Sequence, residues 1–264
     1  MTEAITKMPL KLIANSTGKS TLKLRNVNNS GRLISYVSNG ITTNGLQVYL
    51  DAGNVSSYGG SGATWYDISG NSRNATLINT PTYSSTNGGI FTFSDIAFEY
   101  ATIPNIGSLT QFTVEAWARV QKSLTGKVTS IVTNQYNLAA SLNYSIGTNR
   151  APTSYNMTIG YFNGAWRNAD GFAPSLNTWY HLVGTYDGST VKLYVNNSFN
   201  TQLVYTGTPS SGGEIRIARR WDDVANSATN FFDGDIAQVR IYNKALNVAE
   251  ISQNYNAHKA RYGL

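Results

Sequence analysis

The feature that most constrains this chain is a succession of short runs in which β-branched, aliphatic and aromatic residues alternate with polar ones, each closed off by Gly, Asn, Ser or Asp. Gly45 to Asp51 (GLQVYLD), Gln111 to Val120 (QFTVEAWARV), Trp179 to Asp187 (WYHLVGTYD), Thr190 to Asn196 (TVKLYVN), Glu214 to Ala218 (EIRIA) and Asp235 to Asn243 (DIAQVRIYN) are such runs. Alternation sends successive side chains to opposite faces, so each run offers one apolar face that must be buried. Many such strands with little helical periodicity between them predict an all-β sandwich or barrel. Asp187-Gly188-Ser189 joins two of the runs and reads as a hairpin turn, because Gly accepts the positive φ that tight hairpins require.

Helical character is confined to the C-terminus, where Asn247 precedes Val248-Ala249-Glu250 in capping-box spacing and Ile251 and Tyr255 fall four apart. At the other end, Thr21 to Val27 and Arg32 to Val37 alternate around a turn-prone Asn-Asn-Ser-Gly, the pattern of a strand-forming arm. Residues 1–43 are read as this arm and 44–264 as the main domain. The charge divides in the same place. Residues 1 to 40 carry Lys7, Lys11, Lys19, Lys23, Arg25 and Arg32 against Glu3 alone, a net +5, while the remainder carries 14 basic and 13 acidic groups, a net +1. The overall +6 is therefore a property of the arm, which is expected to seek acidic surfaces on neighbouring subunits, and the main domain is not expected to bind nucleic acid.

Without cysteine the chain has neither disulfides nor thiolate metal sites, which suits assembly in a reducing cytoplasm. The first twenty residues hold no apolar signal core and no run is apolar enough to span a bilayer, so neither export by a cleaved signal nor membrane insertion is expected.

Four stretches carry a resemblance: LDAGNVSSYGGSGATWYDISGN from Leu50 to Asn71, FTVEAW from Phe112 to Trp117, NTWYHLVGTYDGSTVKLYVNN from Asn177 to Asn197, and FDGDIAQVRIYNKALNVAEISQNY from Phe232 to Tyr255. In this order they resemble the laminin G-like domains of the concanavalin A-like lectin/glucanase superfamily. The resemblance implies a two-sheet antiparallel jelly-roll sandwich, with the arm before it and a short helix after it. It implies little about activity, because this fold hosts lectins, glycanases, adhesins and virion modules.

Phe112, Val114, Ala116, Ala118 and Val120 form one face of their strand, and Ala237, Val239 and Ile241 the matching face of another, so these sets are expected between the sheets. Glu115, Trp117, Arg119, Gln238, Arg240 and Tyr242, joined by His181 or Tyr194, then fall on an outer face. A sugar is held by a flat aromatic against its apolar face and by amide, carboxylate or guanidinium groups on its hydroxyls. Trp117 with Gln238 and Arg240 offers that set, as do two loop clusters, Trp166, Arg167, Asn168 and Asp170, and Trp221, Asp222 and Asp223. The competing structural reading pairs Glu115, Arg119 and Arg240 across strands and packs Trp117 under a loop. No cofactor is required. The resemblance brings in a structural calcium ion, for which Asp51, Asp67 and Asp235 match, although Asp in such turns also caps its own backbone.

Catalysis is not expected. The Glu-x-Asp-x-x-Glu strand pattern of the glucanase branch is absent, and the two histidines, His181 and His258, have no identifiable triad partners. The preferred reading is a non-enzymatic structural or adhesion module on a large assembly: a phage virion decoration or fibre protein at the virion surface, homo-oligomeric or lattice-bound, touching host glycans. The Asn/Thr/Ser/Tyr-rich style of the domain resembles those carried on bacteriophage particles. Alternatives are a glycan-degrading hydrolase and an extracellular or cell-surface adhesin.

Overall fold

The computed structural model describes residues 25–27, 33–35, 40–125, 127–136, 141–150, 155–210, 213–220 and 231–264. The chain divides into two compact units, Met1–Ile41 and Thr42–Leu264. In the first, strands β1 (Arg25–Val27) and β2 (Leu33–Ser35) pair antiparallel with Asn26 opposite Ile34, the hairpin the alternation predicts. Lys7, Lys11, Lys19, Lys23 and Arg32 lie outside the described residues, and Arg25 begins β1.

Among the described residues, the second unit is a sandwich of sixteen strands in two antiparallel sheets. In chain order they are β3 (Leu46–Asp51), β4 (Thr64–Trp65), β5 (Ala75–Ile78), β6 (Thr82–Ser84), β7 (Ile90–Phe93), β8 (Tyr100–Ile103), β9 (Phe112–Val120) and β10 (Ser130–Tyr136). There follow β11 (Ser141–Arg150), β12 (Tyr155–Phe162), β13 (Trp166–Asp170), β14 (Trp179–Tyr186), β15 (Thr190–Val195), β16 (Ser198–Val204), β17 (Ile215–Ile217) and β18 (Gly234–Tyr242). Sheet I runs β13-β12-β11-β10-β17-β8-β5-β4, and sheet II runs β16-β15-β14-β9-β18-β7-β6. One edge of β18 serves two partners, β7 along Gly234 to Ile236 and β3 along Gln238 to Tyr242.

The core lies between the sheets. Phe112, Val114, Ala116, Ala118 and Val120 of β9 face it as the alternation predicts, with Leu182, Val191 and Leu193 beside them and Ile131, Val132, Ile146, Met157, Ile159, Ile215 and Ile217 of sheet I opposite. The β14–β15 turn is built as expected: Asp187 Oδ1 accepts from the backbone of Ser189 and Thr190, and Gly188 adopts φ +99°. Strand β18 departs from the expected alternation. Ile236 pairs with Ala118 and Gln238 with Trp117, which leaves Ala237 as an extra residue in a β-bulge. Ile236, Val239 and Ile241 therefore enter the core, and Ala237 joins Gln238 on the outer side against Trp117.

Sheet II is closed on its outer face by the C-terminal helix α1 (Val248–His258) and the 3-10 turn Lys259–Tyr262. The predicted capping box begins it: Asn247 Oδ1 accepts from Glu250 N at 3.0 Å, and Glu250 Oε2 accepts from Asn247 N at 3.0 Å.

Across the core, Gly184 of β14 faces Ile159 of β12, and a Cβ there would stand 2.3 Å from the Ile159 side chain. Since Ile159 is fully buried and cannot swing away, Gly184→Ala is expected to destabilise by about 1–3 kcal/mol. A fall in the urea midpoint with an unchanged slope checks this.

Candidate functional site

The centre of the outer face of sheet II does not reach solvent. Trp117, Gln238 and Arg240 are each at most 1% exposed. Trp117 is stacked against Tyr262 (4.2 Å between ring centroids, 18° between planes), against His181 (4.7 Å) and against Tyr255 (5.8 Å), so the terminal helix and turn, not a loop, cover it. The sheet-face glycan site read from the sequence is thus corrected: the right residue types stand side by side, but a helix occupies the place of a sugar.

Beneath the helix most polar groups pair with one another, while Trp117 Nε1, His181 Nδ1 and Arg240 Nε find no hydrogen-bond partner. Glu115 Oε1 accepts from Arg240 Nη1 and from His181 Nε2 at 2.7 Å, and Glu115 Oε2 accepts from Asn254 Nδ2 at 2.7 Å. The Asn254 amide also donates to Tyr242 Oη at 2.9 Å, and its oxygen accepts from Thr42 N at 2.8 Å. Gln238 accepts from Arg240 Nη2 and donates to Asp51 Oδ2 at 2.8 Å. Burial pushes the Glu115 carboxyl up, but Arg240, His181 and Asn254 outweigh it and hold the group down at about 2. Burial pulls the Arg240 pKa down, and Glu115 more than reverses that, leaving it raised. His258 Nδ1 lies 3.0 Å from Arg240 Nη2, and burial together with that guanidinium lowers the imidazole to about 4.

Asp51, Asp67 and Asp235 each have their own donors. Asp51 Oδ1 accepts from Arg261 Nη1 (2.6 Å) and Gly53 N (2.9 Å), while Oδ2 takes Gln238. Asp67 caps its loop, accepting from Tyr49 N, Ser69 N, Ser69 Oγ and Arg73 N at 2.8–2.9 Å. Asp235 accepts from Thr92 Oγ1, Arg119 and Gln121 Nε2. Calcium takes about six to eight oxygen ligands, and these carboxylates are filled by amide, hydroxyl and guanidinium donors, so the three do not fit the ion. A further acidic group, unread in the sequence, comprises Asp95, Glu99 and Asp233. Lys122 and Lys127 pair with Asp95. Burial pushes Asp95 up but the two lysines bring it down, whereas burial and Asp95 push Asp233 up.

The Trp166 cluster remains at the surface. It is a strand, not the loop expected: β13 is the edge of sheet I, and Trp166, Asn168 and Asp170 are in register with Phe162, Gly160 and Thr158 of β12. Because Ile159, Tyr161 and Ala169 face the core, these three β13 residues and their partners share the outer face. Trp166 is 38% exposed and Asp170 is exposed, with Phe162 behind Trp166 edge to face at 5.5 Å. Gly160 leaves the space in which the Asn168 amide lies, since a Cβ there would come within 2.0 Å of Asn168 Oδ1. Alternation sends Arg167 the other way. Its guanidinium lies 3.8 Å over the Tyr205 ring, donates to Tyr205 Oη at 2.8 Å and donates to Asn163 Oδ1 at 3.1 Å. Trp221, Asp222 and Asp223 lie outside the described residues. Phe162 and Tyr205 were not singled out in the sequence; the alternation of YNMTIGYF, with a second aromatic four residues after Phe162, is the signal that finds the first.

Two antiparallel sheets packed face to face, one closed by a terminal helix and the other ending in an exposed aromatic edge, define a lectin-type jelly-roll sandwich. Residues 95–252, more than half of the chain, match the Laminin_G_3 model of the concanavalin A-like lectin/glucanases superfamily, and the chain belongs to that superfamily. Among solved structures it is similar to domain 4 of AbnA, a GH43 extracellular arabinanase from Geobacillus stearothermophilus solved in complex with arabinotriose. That likeness has a TM-score of 0.58 at 19% identity and covers 80% of this chain and 98% of that one. The receptor binding domain of the botulinum neurotoxin C/D mosaic serotype gives 0.61 at 13% identity, over 81% of this chain and 51% of that one. Trypanosoma rangeli sialidase in complex with the inhibitor DANA gives 0.55 at 15%, over 82% and 33%. At these identities the likeness is one of fold, and the chain spans about half of the toxin domain and a third of the sialidase. No curated protein sequence matches.

The buried network makes an acid-sensitive clamp. His258 is neutral in the folded chain down to about 4 and protonates near 6.5 when unfolded, so its contribution is complete above pH 6.5 and is lost as pH falls towards 4. The difference corresponds to on the order of 3 kcal/mol. Glu115 adds a second loss between about 4.5 and 2. Melting temperature is expected to fall across both windows, and His258→Gln to flatten the first while leaving the second.

Proposed function

We propose that this chain is a non-catalytic glycan-binding module displayed on a large assembly, with the β12–β13 face as its binding surface. The observation that carries this reading is an exposed tryptophan aligned on one strand face with an amide and a carboxylate, while the other aromatic and polar set is sealed under a helix. Trp166 supplies the flat ring for a pyranose face, and Asn168 and Asp170 reach its hydroxyls. Solved relatives of the same fold supply support of a general kind, one of them holding arabinotriose.

Carboxylate placement speaks against hydrolysis. Glu115 is locked in its ion pair, and on the outer face of sheet I the described carboxylates are Asp170 of β13 and Glu214 beside β17, the latter accepting from Arg216 Nε at 2.7 Å. Four strand spacings separate β13 from β17, roughly 19 Å. A glycosidase pair needs about 5 to 9.5 Å.

The assembly is read as a virion, with the chain as a head decoration or fibre subunit at the particle surface and its partners the neighbouring subunits. The basic arm supports this: +5 in the first 40 residues against +1 in the rest marks a segment that seeks an acidic surface, and its short paired strands can add to a sheet edge. Single-site glycan affinity is then weak, and repetition on the particle supplies avidity.

Two variants and one truncation test this. Trp166→Ala is expected to abolish retention of particles or bead-arrayed protein on immobilised glycans with no change in melting temperature; equal retention contradicts the site. A chain of residues 42–264 keeps Thr42, whose backbone joins Asn254 and Tyr242, and is expected to fold but not to incorporate into particles. Normal incorporation contradicts the attachment role.

A further inference from the structure

We infer that the β16 edge of sheet II pairs with the same edge of a second copy of this chain, antiparallel about a two-fold axis at Leu203. A sheet edge carries unpaired backbone donors and acceptors, which proteins blunt by shortness, charge or cover. The other edges of the sandwich are blunted in these ways. Strand β4 has two residues and β6 three, and β13 carries Arg167 and Asp170. Strand β3 is covered by the segment around Asp67: Tyr49 N donates to Asp67 Oδ1 at 2.8 Å, and Tyr49 O accepts from Ile68 N at 2.9 Å. Strand β16 (SFNTQLV) has seven residues, no charge and no proline, and among the described residues it pairs with β15 alone.

The pairing with β15 shows which groups of this edge are open. Tyr205 N donates to Ser189 O at 2.8 Å, and the bonds of an antiparallel ladder fall on every second residue. Leu203, opposite Val191, and Thr201, opposite Leu193, therefore bond to β15. Gln202 and Val204 then direct their N–H and C=O groups away from β15, and no described residue bonds them there. Both residues are exposed, Val204 at 69%. Before Thr201 the edge is interrupted by a bulge at Asn200, whose Oδ1 lies against Gly171, where a Cβ would stand 2.5 Å from it. The open run is thus Thr201 to Val204.

Symmetry and charge select a second copy as the occupant. An axis through Leu203 sets Gln202 opposite the second copy's Val204, and Val204 opposite its Gln202, so the outward groups of both copies join in four hydrogen bonds. Lys192 of β15 is opposite Gln202 and projects from the outer face between the core residues Val191 and Leu193. A basic strand laid on β16, such as Thr21 to Val27 with Lys23 and Arg25, brings like charge to within two strand spacings of Lys192, about 10 Å. An uncharged β16 brings none there, and the two copies' Lys192 side chains stand roughly 16 Å apart. So short a contact is far below the roughly 1,200 Å² of a standard interface, and the dimer belongs to high concentration or to an array.

The test is sedimentation of the full chain from about 10 µM to about 1 mM. The average mass is expected to climb towards that of a dimer. Gln202→Pro removes an outward N–H at an edge position, where proline is tolerated, and is expected to weaken association at least about tenfold with an unchanged melting temperature. Val204→Lys alters an exposed side chain only and serves where the proline variant does not fold; it brings charge to about 10 Å from the second copy's Lys192, and a loss of about fivefold or more is expected. A mass that stays monomeric across the range overturns the inference, as does association that both variants leave unchanged in folded protein. Association lost on reversing the charges of Lys23 and Arg25, with both edge variants silent, also overturns it and assigns the contact to the arm.

Discussion

The Glu115 carboxylate and the Arg240 guanidinium meet on adjacent central strands of sheet II, both about 1% exposed, and the arrangement of that half of the molecule follows from keeping them satisfied. A lone buried charge is costly, and even a pair gains little unless the remaining lone pairs and protons find partners. Here His181 and Asn254 complete Glu115, while Arg240 donates to Gln238 and lies against His258, its Nε alone finding no partner. Asn254 and His258 belong to α1, so the helix is positioned by hydrogen bonds as well as by the packing of Ile251 and Tyr262. Asn254 also holds Thr42 at the start of the sandwich unit, which ties the first and last segments of that unit to one carboxylate.

Because the network spends the polar groups of sheet II on the protein's own helix, the proposed ligand face lies on sheet I. The same residue types serve opposite ends there. Trp117 is enclosed by three rings, whereas Trp166, with Phe162 at its edge, is left with an exposed surface. Arg240 is held by an anion and Arg167 by a tyrosine, so both guanidiniums are engaged within the protein.

How much of this the sequence discloses varies with the range of the interaction. Local signals read well: the alternation of β9, the Asp187-Gly188-Ser189 turn and the Asn247–Glu250 capping box all depend on residues within a few positions of one another. The face assignment of Ile236 and Ala237 failed because a bulge inserts one residue into a period of two, and that insertion is visible only in the pairing with Ala118 and Trp117. Trp166 to Asp170 passed for a loop because WRNAD has little strand propensity of its own and becomes a strand by pairing with β12. The exposed appearance of Trp117, Gln238 and Arg240 had a different cause. A polar, aromatic strand face is equally suited to a sugar or to a polar helix, and the deciding residue, Asn254, is more than a hundred positions from Glu115 in the chain.

The central claim of the proposed function is that Trp166 on β13 meets ligand and Trp117 on β9 is structural. Resonances of the indole N–H groups, assigned by single Trp→Phe substitutions and followed as a retained neutral oligosaccharide is added to the full chain, test it most directly. The account predicts that the Trp166 signal shifts progressively to saturation while the Trp117 signal stays in place. Movement of Trp117 with Trp166 unmoved would contradict it.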